Sequence, residues 1–139
     1  MSLRKVLLTE LMAYFSDLSQ YTYTIEAPPA VNVGWLDPDH PYTHGKMPKG
    51  LFAKLRKRAL ENQVNPMRGF HECVFCLREN RQSRISLNCK GKVRYLGSAE
   101  VWVRSHDGTS YAAPNLIVHY IEAHDYLPPK DFLDALAEM

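Results

Sequence analysis

Long apolar runs, a strong net charge and a large set of cysteines are all missing from this chain of 139 residues. The longest apolar stretches, such as Leu116 to Val118, are far shorter than the roughly 20 residues of a membrane-spanning helix. The net charge is only +2, so charge alone predicts neither nucleic acid nor a membrane surface as partner. Three cysteines, an odd number, argue against a disulfide framework and for reduced thiols.

Familiar catalytic motifs are absent as well. The sequence has no Gly-rich phosphate loop, no G-x-S-x-G nucleophile elbow and no H-E-x-x-H motif, and it has no internal repeat. Near the N-terminus, Thr9 and Glu10 interrupt the apolar residues where a signal peptide needs a run of about 7 to 15. We therefore expect a cytoplasmic binding protein rather than an enzyme.

Composition and length predict a single domain of the α+β class. The chain is 45% hydrophobic and 23% charged, which is typical of soluble globular proteins, and its length suits one hydrophobic core. We expect one domain over residues 1–139, with N-terminal helices, a small antiparallel β meander and a C-terminal helix. An enlarged zinc-finger-like site over about residues 69–127 would join these parts.

Hydrophobic spacing predicts where the elements lie. Spacings of three and four residues predict helices over residues 3–18 and 50–60, and a short tail helix over about 130–137. Alternation predicts a strand at 21–25 and an antiparallel meander or hairpin over 85–111, with turns at Lys90-Gly91, Gly97-Ser98 and 106–109. Pro114 fits the first position of a buried helix. Residues 27–49 contain five prolines, so we expect an ordered loop there.

Two pairs of metal-ligating residues carry the chemistry of the sequence. Cys73 and Cys76 form a CxxC knuckle, which supplies two thiolates from one turn, and His119 and His124 have the three-to-five-residue spacing of zinc-binding histidines. The intervening residues, 77–118, include the predicted meander, so the order is knuckle, hairpin and helix. We predict one Zn²⁺ held by these four residues. Because four protein ligands leave no position for water, the ion would be structural.

Several alternatives stay open for this site. An uninterrupted helix would point His119 and His124 about 140° apart, so the helix must loosen, or His71 must replace His124 as the fourth ligand. If one position were vacant, a zinc-bound water with Glu72 or Glu122 as general base would make a hydrolase. The CxxC pair could also be a redox dithiol, or two buried cysteines without a metal.

Two other polar groups have simpler explanations than a site. Asp37, Asp39, His40 and His44 could form a second polar site, although Asp and Pro in turns with exposed His explain them equally well. A basic cluster is more simply a solvated helix face than a phosphate-binding surface; its members are Lys54, Arg56, Lys57 and Arg58. We expect Cys89, alone in a turn, to have no role.

Three segments of the sequence resemble a known family. They are residues 34–37, residues 69–76 with the pattern HxCxxC, and residues 111–129 with the pattern YAAPxLIxHYxxxHxYxPP. These segments resemble a family of small uncharacterised bacterial proteins over about residues 33–133. The resemblance implies a common domain and a bacterial source, but it brings no activity.

The resulting functional hypothesis is a zinc-stabilised protein-interaction or accessory module, for example an immunity protein. Its partner would be another protein, recognised through the loop 27–49 or an exposed sheet edge. A zinc-dependent hydrolase is the alternative. Nucleic-acid binding is a weaker alternative, because the apolar helix carries Glu122 where a base-reading Arg or Asn would be needed. The sequence predicts no oligomeric state.

Overall fold

The computed structural model describes residues 14–21, 30–66 and 71–139. Within these ranges the helices are α1 (Lys49–Glu61), α2 (Val74–Arg78), α3 (Ile117–Ala123) and α4 (Lys130–Ala137). The strands are β1 (Ala30–Asn32), β2 (Ser86–Cys89), β3 (Lys92–Tyr95), β4 (Glu100–Arg104) and β5 (Ser110–Pro114). No helix in this part of the chain is long and apolar enough to cross a membrane. The predicted α+β class is confirmed.

The larger sheet has three strands in the order β1-β5-β4. Strand β5 is central, and all five of its residues are buried. It pairs antiparallel with β4, as in Val103 opposite Tyr111, and parallel with β1, as in Ala30 opposite Ser110. The parallel pair was not predicted, because β1 lies in the proline-rich segment and its partner is distant in sequence.

Strands β2 and β3 form a separate antiparallel hairpin. Its turn residues Lys90 and Gly91 both have positive φ, 52° and 80°, as a two-residue type I′ turn requires. The predicted turn is confirmed, and the predicted antiparallel strands form two hairpins in separate sheets, β2-β3 and β4-β5, instead of one meander. After β3, Leu96 is buried and Gly97 has a φ of 101°, so the chain turns away and β4 joins the larger sheet.

The core lies between the larger sheet and the helices. Helix α1 packs against α3 and α4, and α4 packs against β4. The predicted inward residues Leu55 and Ala59 of α1 and Phe132 of α4 are completely buried. Burying one such Leu or Phe side chain contributes about 1.5–3 kcal/mol, which is why the helical spacing in these segments predicted the helices correctly.

Two helix boundaries differ from the prediction. Pro114 ends β5 opposite Glu100 and does not begin a helix, which starts at Ile117. Residues 14–18 are not helical either: Leu18 has a φ of 68° and donates its backbone N–H to the carbonyl of Asn32 at 2.7 Å. Pairing with the β1 segment replaces the predicted helix here. The rest of that helix and residues 22–25 of the predicted strand lie outside the described residues.

Candidate metal centre

The CxxC knuckle is built at the beginning of α2. Cys73 is the residue before the helix and Cys76 lies in its first turn. The backbone N–H of Cys73 donates to the carbonyl of Ser83 at 2.8 Å, and Arg81 donates to the carbonyl of Cys76 at 2.8 Å. Backbone hydrogen bonds with residues 81–83 therefore fix the conformation of the knuckle. Helix α2 was not predicted, because only five residues form it.

The two histidines are separated by the end of α3. His119 lies in the helix, whereas His124 follows its last residue and has a φ of −123°. Asp125 is left-handed with a φ of 57°, and the N–H of Tyr126 returns to the carbonyl of Tyr120 at 3.2 Å. The regular helix thus ends between His119 and His124, as their spacing requires if both are to bind one ion. Both imidazoles face the knuckle.

The four side chains converge on one point. The Sγ atom of Cys76 lies 3.3 Å from Nε2 of His119 and 3.5 Å from Nε2 of His124. Cys73 Sγ lies 3.4 Å from His124 Nε2, and the two Nε2 atoms are 3.2 Å apart. All four donor atoms lie within 4.8 Å of one another. A tetrahedral zinc ion with ordinary bond lengths would place its sulfur and nitrogen ligands about 3.6 Å apart and two nitrogens about 3.3 Å apart.

Burial shifts the pKa of Cys73 upward and the pKa of both histidines downward. Cys73 and Cys76 are 0% and 2% exposed, and the histidines are partly buried. Burial raises the pKa of Cys73 to about 12, although the backbone N–H groups of Phe75 and Cys76 hydrogen-bond its sulfur and act in the opposite direction. Burial, with the nearby His124 and Arg81, lowers the pKa of His119 to about 4. Both imidazoles therefore favour the neutral form that ligates metals, and a bound cation would favour the thiolates.

Aromatic side chains cover His124. The ring of Phe75 stacks on the imidazole with a centroid separation of 4.9 Å. The hydroxyl of Tyr42 donates to the carbonyl of His124 at 2.8 Å, and the ring of Tyr42 meets Phe75 edge-on at 5.6 Å. These contacts hold His124, which directly follows α3, against the knuckle.

A single turn connects the two halves of the centre. The carbonyl of Gly97 accepts the N–H of His71, just before the knuckle, at 2.7 Å. The N–H of Gly97 donates to Oδ1 of the buried Asn115, just before α3, at 2.7 Å. Gly97 and Asn115 therefore position the knuckle relative to α3. Sequence reasoning predicted the Gly97-Ser98 turn but gave no role to Asn115, since its partner is set only by the folded chain.

The alternative fourth ligand, His71, and the two candidate bases, Glu72 and Glu122, are not part of this group. Within residues 14–21, 30–66 and 71–139, the four Cys and His side chains form the only set of three or more His, Cys, Asp or Glu residues close enough to hold a metal ion. His71 is partly buried, and burial lowers its pKa. Glu72 and Glu122 are exposed, and Glu72 accepts a hydrogen bond from Ser83 at 3.3 Å. The structure therefore brings together the four predicted ligands, and neither glutamate nor His71 joins them.

The possible second site does not assemble. His40 contacts Asp37 at 2.6 Å, whereas Asp39 pairs with the two terminal nitrogens of Arg78 at 3.0 and 3.1 Å. His44 instead stacks on the ring of Tyr42. Only Asp37 and His40 contact each other through their side chains, and Asp39 and His44 have other partners, so the four residues do not form one site. Cys89, predicted in a turn, is the last residue of β2 and pairs with Lys92.

Comparison with known proteins places the chain in a family. The family model described as "Domain of unknown function (DUF7919)" matches residues 13–137. The chain belongs to this family. The match includes all four candidate ligands, and it agrees with the predicted resemblance to an uncharacterised family. No curated protein and no solved structure matches the chain.

Proposed function

We propose that this protein binds one zinc ion through Cys73, Cys76, His119 and His124, and that the ion stabilises the fold. The observation that carries the proposal is the spacing of the donor atoms, which lie 3.2 to 3.5 Å apart in four sulfur–nitrogen and nitrogen–nitrogen pairs. Sulfur and nitrogen donors at this spacing match a tetrahedral shell around zinc.

The donor set favours zinc in a structural role. A tetrahedral arrangement of two thiolates and two imidazoles is typical of zinc. The two thiolates balance the charge of Zn²⁺, so the buried centre is neutral overall. With four protein ligands the shell is closed. The ion would link the knuckle at α2 to the end of α3, which are far apart in sequence, so its binding energy would contribute to folding.

The biological role that we propose is that of a protein-interaction or accessory module. A closed metal site supports such a role, because it supplies rigidity to the surfaces around it. The need for reduced cysteines supports a reducing compartment such as the cytoplasm. The partner would be another protein, and the residues that would contact it lie outside the metal centre.

The decisive experiment is elemental mass spectrometry of protein purified without chelators and without a metal-binding tag. We expect about one zinc per chain in the wild type and in the Cys89→Ser control, and less than about a tenth of that in Cys73→Ser/Cys76→Ser, because a pair of lost thiolates removes half the shell. Adding a strong chelator to the wild type should lower its melting temperature. Wild-type protein that is metal-free and keeps its melting temperature with chelator would disprove the proposal.

A further inference from the structure

The β2–β3 hairpin has an open edge along β3. Leu96 donates its backbone N–H to the carbonyl of Ile85 at 2.8 Å, and hydrogen-bonded pairs alternate along an antiparallel ladder. The N–H and carbonyl groups of Val93 therefore point away from β2, and no hydrogen bond reaches them from residues 14–21, 30–66 or 71–139. On the other edge, the carbonyl of Asn88 is occupied by Arg56 Nη2 at 3.1 Å. The edge of β3, with neither backbone group of Val93 occupied by a described residue, is therefore the more open of the two.

This edge is exposed and positively charged. All residues of β3 are exposed, and Val93 is 62% exposed. Residues 80–99 contain five basic side chains and no acidic one. Lys92 and Arg94 share one face of the strand and Val93 lies on the other, since side chains alternate. Neither Lys92 nor Arg94 forms an ion pair with any residue in the described ranges.

We propose that the edge of β3 binds an extended acidic segment of a partner protein as an added strand. The inference rests on the protein-interaction part of the proposed function and names the partner's chemistry. Backbone hydrogen bonds to Val93 would provide the pairing. Acidic side chains at alternate positions would face Lys92 and Arg94, and the apolar or β-branched residues between them would cover Val93.

Charge selects this partner over a second copy of the chain. Two β3 edges brought together would place Lys92 and Arg94 of both copies close to each other, and positive charges at strand edges prevent such pairing. A nucleic acid would also satisfy the charges. It would leave the backbone groups of Val93 unused, however, so the open edge favours a peptide.

Fluorescence anisotropy with two labelled peptides tests the inference. One peptide alternates Glu with Val, and the other alternates Glu with Pro. The second peptide has the same charge, but its proline residues have no N–H to donate to a ladder. Single-stranded DNA of about 12 thymidines is the third probe. The variants are Val93→Pro, which removes an outward N–H, and Lys92→Glu/Arg94→Glu. Lys49→Glu/Lys57→Glu makes the same charge change on α1, at two exposed lysines, as a control.

We expect the Glu–Val peptide to bind at least about tenfold more tightly than the Glu–Pro peptide. Val93→Pro should remove that difference, the charge reversal should abolish binding, and the control should retain both. Equal binding of the two peptides, tighter binding of the DNA, or binding of no probe would each overturn the inference. Zinc measured in the same preparation separates the two proposals, because zinc-loaded protein that binds no peptide contradicts only this one.

Discussion

The hydroxyl group of Tyr42 donates a hydrogen bond of 2.8 Å to the carbonyl oxygen of His124. The last carbonyls of a helix have no partner within it, and Tyr42 satisfies the one next to the candidate metal centre. A second hydrogen bond joins the same two segments, because Leu127 donates its N–H to the carbonyl of Thr43 at 2.9 Å. The proline-rich loop therefore positions a candidate metal ligand.

Replacing Tyr42 with Phe should weaken the fold without removing the metal. The variant keeps the ring that contacts Phe75 and loses only the hydroxyl, so the free energy of unfolding should fall by about 1 kcal/mol. Urea denaturation of zinc-loaded protein measures this loss, and elemental analysis should still find the wild-type zinc content. Unchanged stability would show that water satisfies the His124 carbonyl equally well.

The identity of the fourth ligand can be tested with two matched alanine variants. His124 lies in the cluster of donor atoms, whereas His71 does not. Replacing a residue that only supports a ligand typically lowers metal affinity by about 10- to 100-fold. We expect His124→Ala to lower zinc affinity by more than this, and His71→Ala to change it by less than about tenfold. Competition with a chromophoric zinc chelator measures both affinities. The reverse order would make His71 the fourth ligand.

The parts of the fold that sequence predicted are those that depend on neighbouring residues. The spacing of Leu55 and Ala59, the Lys90-Gly91 turn and the tail helix follow from local rules. The grouping of Cys73 with His119 was predictable for another reason, since the chemistry of zinc restricts which residue types and spacings can share an ion.

The parts that sequence missed depend on distant partners. Pro114 suits the first position of a helix, but it is also compatible with a strand end, and only pairing with Glu100 decides between them. The turn at Leu18 is set by Asn32, and β1 exists because β5 lies beside it. Such tertiary contacts override local preference, and a single sequence does not reveal them.

The turn at Gly97 should tolerate no side chain. A Cβ atom at this position would lie 2.2 Å from the backbone oxygen of His71, and the φ of 101° already disfavours other residues. We expect Gly97→Ala to lower the free energy of unfolding by more than about 3 kcal/mol. Thermal and urea denaturation measure the loss.

Gly91→Ala is the matched control for that experiment. Gly91 also has a positive φ, 80°, but a Cβ atom there would have no neighbour within 4 Å. Only the backbone penalty remains, so the cost should be about 1–2 kcal/mol. Similar losses for the two variants would mean that φ alone explains Gly97, and that the loop at His71 can shift to make room.

Asp17 should make stability depend on pH in an unusual direction. Its carboxylate accepts hydrogen bonds from the N–H of Gly34 and the hydroxyl of Tyr126, both at 2.9 Å, yet burial outweighs them and raises its pKa above the ordinary 3.8. The folded state therefore binds this proton more tightly than the unfolded state. Through the window from 3.8 up to the folded pKa, this contribution to stability falls as pH rises, and it stays low above that window.

Asp17→Asn isolates that contribution, because the amide does not titrate. The free energy of unfolding of the wild type minus that of the variant should be larger at about pH 4 than at about pH 7, as measured by urea denaturation. Loss of the proposed zinc ion in acid would affect both proteins alike, since Asp17 is not among the clustered donor residues. A difference that grows with pH would show that the hydrogen bonds from Gly34 and Tyr126 outweigh burial and that the folded pKa lies below 3.8.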